Sequence, residues 1–110
     1  MMKKYVRLND GRIIDTKNTY EQPLLNDVAF CIKKTKECIY KKYVWKEADN
    51  VIDLIKPNDL VVNHRGEFVK VNNGTFDHIP YLGIQELFTW DEKGQYRLVA
   101  TFSGGKARLV

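Results

Sequence analysis

The side chains able to carry chemistry are few. Cys31 and Cys38 are the two cysteines, and His64 and His78 the two histidines, with Glu67 near the first histidine and Asp77 beside the second. A cysteine and a histidine brought together by the fold can act as nucleophile and base. Asp77, His78 and Glu86 offer donors suited to a metal ion, but at no spacing that belongs to a known metal site. The chain contains no GxSxG elbow, no P-loop, no HExxH and no CxxC, so the common nucleophile, phosphate and zinc devices are missing as sequence signals. Histidines beside turn residues are ordinarily solvated, and the expectation is a non-enzymatic protein with no metal and no cofactor. Two thiols are too few for the disulfide scaffold of a small secreted domain. They read as reduced groups packed like small apolar side chains, with a disulfide or a reactive thiol as the alternatives.

Charge placement says more. Between Lys33 and Lys46 stand six lysines, Lys33, Lys34, Lys36, Lys41, Lys42 and Lys46, against the single acid Glu37. The chain as a whole carries +4, so this segment at +5 holds all of the excess positive charge. Tyr40, Tyr43 and Trp45 are interleaved with the lysines. Ammonium groups beside flat rings suit a phosphate-bearing ligand, a nucleotide or nucleic acid, because the cations replace counterions and the rings offer stacking faces. An acidic protein surface would suit them equally. The competing structural reading is a solvated face that protects a sheet edge from aggregation, with the rings turned inward. A second candidate contact is the loop from Thr75 to Gly83, where Phe76, His78 and Tyr81 sit among Asn, Gly and Pro. Loops held on a rigid scaffold are favoured binding places.

The elements that must position these groups read as short strands. KKYVRL, then Asn9-Asp10-Gly11, then RIID predicts a β-hairpin over residues 3–16. KNTYEQPLLND has Pro23, several turn formers and no period of 2 or 3.6, and reads as a loop. VAFCI and IYKKYVWKE, separated by KKTKE, predict a second hairpin from Val28 to Glu47. In EADNVIDLIKP, Asp49 or Asn50 caps one or two helical turns and Pro57 ends them. DLVVN with EFVKVNN, and IQELFTWD with QYRLVATF and KARLV, are further hairpins, in which Phe88, Trp90, Tyr96 and Phe102 read as cross-strand packing. The expected fold is mainly β, a small antiparallel SH3-like barrel or sandwich with one short helical turn.

At 110 residues and 44% hydrophobic content the chain fits a single domain, 1–110. MMKKYVRLND lacks the apolar run of a secretory signal, and no stretch approaches the roughly 20 apolar residues of a membrane span. A soluble, cytoplasmic protein with no membrane partner is expected, and an exposed edge strand would allow a homodimer.

MKKYVRLNDGRIIDT, EADNVIDLIKPNDLVV and GIQELFTWDEKGQYRLVA together resemble the small uncharacterised proteins of phages and prophages of Gram-positive bacteria. The resemblance covers about two-thirds of the chain and rests on a hairpin, a helical turn before an Asp-Leu-Val strand, and another hairpin. It implies a setting in a bacterial host cell and an accessory role. Such a role is an inhibitor of a host defence component, anti-defence or anti-CRISPR in type, or a sponge for a nucleotide signal. An SH3-like nucleic-acid-binding module is the alternative.

Overall fold

A computed structural model describes residues 3–72 and 83–110, so Phe76, Asp77, His78 and Tyr81 lie outside the described residues. Eleven strands run among those described: β1 (Tyr5–Leu8), β2 (Ile13–Asp15), β3 (Thr19–Leu24), β4 (Asp27–Ile32), β5 (Cys38–Tyr40), β6 (Val44–Ala48), β7 (Leu60–Asn63), β8 (Phe68–Lys70), β9 (Ile84–Trp90), β10 (Tyr96–Ser103) and β11 (Lys106–Leu109). Single 3-10 turns stand at Thr16–Asn18, Lys41–Tyr43 and Val51–Leu54. The strands pair antiparallel in three sheets, ordered β2-β1-β6, β3-β4-β5 and β11-β10-β9-β7-β8. The mainly β expectation is met. The described strands stay in three separate sheets and do not close into a barrel.

β1 explains the layering. All four of its residues are buried, which requires cover on both faces of the strand. Tyr5 belongs to a cluster with Ile13, Leu54, Ile55, Leu87 and Ala100, joining the β2-β1-β6 sheet to the five-stranded sheet. Val6 and Leu8 instead pack with Phe30 and Ile39 of the β3-β4-β5 sheet. The small β2-β1-β6 sheet is therefore the middle layer, and two cores meet across its central strand.

Within the first core lies a charged residue. Arg7 has no exposed surface and donates from Nε to the Gly11 carbonyl at 3.1 Å, from Nη1 to the Leu54 carbonyl at 2.8 Å, and from Nη2 to Thr89 Oγ1 at 3.0 Å. Asp59 closes a bidentate pair with it: Nη2 donates to Oδ1 at 2.9 Å and Nη1 donates to Oδ2. The Asp59 Oδ2 atom also accepts the Lys56 backbone N–H at 2.8 Å. Five donors meet five acceptors, the condition under which a buried guanidinium is tolerated. Gly11 follows from this arrangement. Its φ is +100°, and a Cβ there would stand 2.4 Å from Thr89 Oγ1.

Several sequence expectations are corrected. The segment read as a loop from Lys17 to Asp27 contains β3, paired with β4 from Thr19↔Ile32 to Leu24↔Asp27. Pro23 misled because it forbids a central strand, yet β3 is an edge strand, where a missing N–H is tolerated. The run IYKKYVWKE is not one strand. Its first residues form β5 against β4, the chain turns through Lys41–Tyr43, and β6 crosses to pair with β1. Ile39 and Val44 both pack in the second core, so the four residues between them must bridge two sheets, and a 3-10 turn makes that step. Cys31 and Cys38 are not separate reduced thiols but a disulfide, joining residues that stand in register across β4 and β5. The helical turn before Pro57 is present at Val51–Leu54. Asn50 caps it through its carbonyl, which accepts the Asp53 N–H at 3.1 Å, and not through its side chain. Trp90 does meet Tyr96 edge-on at 5.1 Å across β9 and β10, but it remains half exposed on the outer face of the sheet.

Candidate binding surface

The lysines and rings of residues 40–46 owe their exposure to the bridge between sheets. Ile39 is buried and Val44 partly so, and the residues flanking them are left outside. Tyr43 keeps 51% and Trp45 38% of its surface in water, against the reading that turned the rings inward. Tyr40 is half-buried and all six lysines are exposed. The Tyr43 carbonyl accepts the Asn9 N–H at 2.9 Å, which fixes the 3-10 turn to the β1–β2 loop.

Cations sit over the rings. Lys42 Nζ is 5.8 Å from the centroid of Tyr40 and 5.2 Å from that of Tyr43. Trp45 is approached from two sides of the sequence, by Lys46 at 5.9 Å and by Lys56 at 5.1 Å. These distances are within cation–π range, so the ammonium groups are held near the ring faces without being neutralised. Lys41 makes one long ion pair, 3.8 Å to Glu21, with both partners half exposed.

The other three lysines are elsewhere. Lys33, Lys34 and Lys36 occupy the turn between β4 and β5, and Cys38 and Ile39 of β5 separate that turn from Tyr40, the first of the rings, about 7 Å of strand. The surface is thus two cationic groups and not one continuous finger. In the β4–β5 turn the lone acid is already engaged: Arg12 donates from Nη1 and Nη2 to the two Glu37 oxygens at 2.9 and 3.0 Å. That hydrogen bonding holds the Glu37 carboxyl below its ordinary range and raises Arg12 well above its own. Lys33 Nζ donates to the Lys17 carbonyl at 3.2 Å.

Lys56 is the member of the ring-bearing group that sequence reading missed. It lies eleven residues beyond Trp45 and next to Pro57, so nothing in the spacing signals the contact. Partial burial, and then the charge of Arg7, lower its ammonium pKa. A less strongly hydrated cation beside an indole gives up less on meeting an anion.

The remaining candidates separate. Cys31 and Cys38 are joined, so neither thiol is present as a nucleophile for a histidine. His64 is exposed in the β7–β8 turn, and among the described residues no group of three or more His, Cys, Asp and Glu side chains could hold a metal ion. Phe76, His78 and Tyr81, the candidates in the Thr75 to Gly83 loop, lie outside the described residues. No helix among the described residues is long and apolar enough to cross a membrane.

Comparison with protein families, curated proteins and solved structures gives no match.

Proposed function

We propose that this chain is a non-catalytic accessory protein of the phage type that inhibits a host defence component by occupying an acidic surface of it. The contact surface is Tyr40, Lys41, Lys42, Tyr43, Trp45 and Lys46, joined by Lys56. One observation carries the reading: Tyr43 and Trp45 remain exposed while three ammonium groups stand 5.1 to 5.9 Å from ring centroids in this surface. Exposed rings supply apolar area to bury, and the cations beside them select a negatively charged face. A nucleotide-signal sponge would use the same groups. The second reading is a nucleic-acid-binding module of SH3-like type, favoured by rings set among ammonium groups, the combination that lets bases stack while phosphates are neutralised.

The triple variant Lys41→Glu, Lys42→Glu, Lys46→Glu tests the surface by affinity capture from a bacterial lysate with and without nuclease. A protein retained by the parent under both conditions and lost by the variant is the expected result. The thermal midpoint should scarcely move, because exposed substitutions ordinarily change stability by less than about 0.5 kcal/mol. Retention that disappears with nuclease, and falls with log salt at a slope near the number of phosphates contacted, selects the second reading. Equal retention by parent and variant overturns both.

A further inference from the structure

A second site lies away from the lysines and rings of residues 40–46. Between β1 and the Val51–Leu54 turn on one side and the β10–β11 hairpin on the other is a cleft of about 900 Å³. β2 and β11 are edge strands of different sheets, and residues of both line the cleft. Its volume is in the range that holds small organic ligands.

The lining is cationic. Lys4, Lys17, Lys106 and Arg108 line it against two carboxylates, Asp15 and Asp49. Both acids are already in use. Asp15 accepts the Lys17 backbone N–H at 3.0 Å and stands 3.6 Å from Lys17 Nζ, and Asp49 accepts the Lys4 backbone N–H at 3.2 Å. Lys106 and Arg108 are exposed, and no described carboxylate lies within 4 Å of either.

The backbone of β11 adds donors. The Val110 N–H reaches the Val99 carbonyl at 3.2 Å, and β11 continues this register with Thr101↔Arg108 and Ser103↔Lys106. In an antiparallel ladder the residues in step with Val110 turn their amides toward β10. Ala107 and Leu109, out of step, turn theirs to the open edge. An edge with outward amides flanked by unpaired cations is an anion-binding arrangement. Strand alternation turns Phe102 and Leu109 toward the core and Lys106 and Arg108 away from it, so the apolar lining, completed by Ile52, and the cations meet at the open edge of β11.

We propose that this cleft binds a nucleoside phosphate, with the phosphates at Lys106, Arg108 and the Ala107 amide, and the ring system against Ile52 and Phe102. The proposal does not depend on the function assigned to residues 40–46. It is tested by titrating the 15N-labelled full chain with ADP, adenosine and pyrophosphate while following amide shifts. ADP should saturate and move amides of residues 49–52 and 101–109, adenosine should not saturate, and pyrophosphate should bind at least tenfold more weakly than ADP. The double variant Lys106→Ala, Arg108→Ala should weaken ADP at least tenfold, since two charge-assisted contacts are removed. Ala107→Pro, on an edge strand that tolerates proline, removes one outward amide and should weaken ADP while leaving shifts elsewhere in place. Absence of saturation by ADP, shifts confined to residues 40–46, pyrophosphate binding as tightly as ADP, or parent-like affinity in the double variant would each overturn the assignment.

Discussion

Arg7 couples four parts of the fold, touching the β1–β2 turn, the Val51–Leu54 turn, Asp59 and β9. Its removal leaves a buried carboxylate with the Lys56 amide as its remaining partner. Arg7→Leu should therefore cost about 3–5 kcal/mol in urea unfolding. Replacing both members, Arg7→Met with Asp59→Leu, should cost clearly less than the two single changes added together, because no charge is then left buried. Additive losses would show that the pair acts through packing alone. Gly11→Ala belongs to the same network. Its Cβ collides with Thr89 and its φ is that of glycine, so a loss of about 1–3 kcal/mol is expected from thermal unfolding. A parent-like midpoint would show that Thr89 yields without cost.

The β4–β5 hairpin is where an element's stability follows pH. Arg12 clamps its turn through Glu37, whose carboxyl is held below its ordinary value near 4.5 by that hydrogen bonding. A carboxyl lowered in the folded state contributes stability that is full above the unfolded value and lost as pH falls through the folded one. The parent should thus exceed Glu37→Gln in thermal midpoint at pH 7, and the gap should close below pH 4. In 1 M salt it should also shrink, since both partners are solvent-exposed. A gap constant from pH 7 to pH 3 would remove Glu37 from the account. Most hairpins were legible because turn residues mark them: Asn9-Asp10-Gly11, Gly66, Gly94 and Gly104-Gly105 all fall between paired strands. β3 was not, because Pro23 reads as a breaker until its edge position is known. The split of β5 from β6 was hidden for another reason: β-branched and aromatic residues stand on both sides of Lys41-Lys42, and the break there is imposed by Ile39 and Val44 belonging to strands of different sheets. The six lysines and three rings were legible as a group. Lys56 and the disulfide register were not, since both depend on contacts made only after folding.

For the whole molecule, the two cores differ in size. Among the described residues, eleven buried ones form the core facing the five-stranded sheet, whereas four form the core under β3-β4-β5. The smaller apolar burial implies a layer that opens more readily. Native-state hydrogen exchange should find lower opening free energies for amides of β3 to β5 than for those of β9 and β10, with the disulfide intact. Equal protection would mean that the layers unfold as one unit. The shared strand also constrains synthesis. Leu87, Thr89 and Ala100, which cover or bond to β1, leave the ribosome some eighty to ninety-five residues after it. At about 5–20 residues per second that interval is roughly 4–19 s. Through it a nascent arginine waits without its full set of acceptors, so this layer can be completed only after β9 and β10 have emerged.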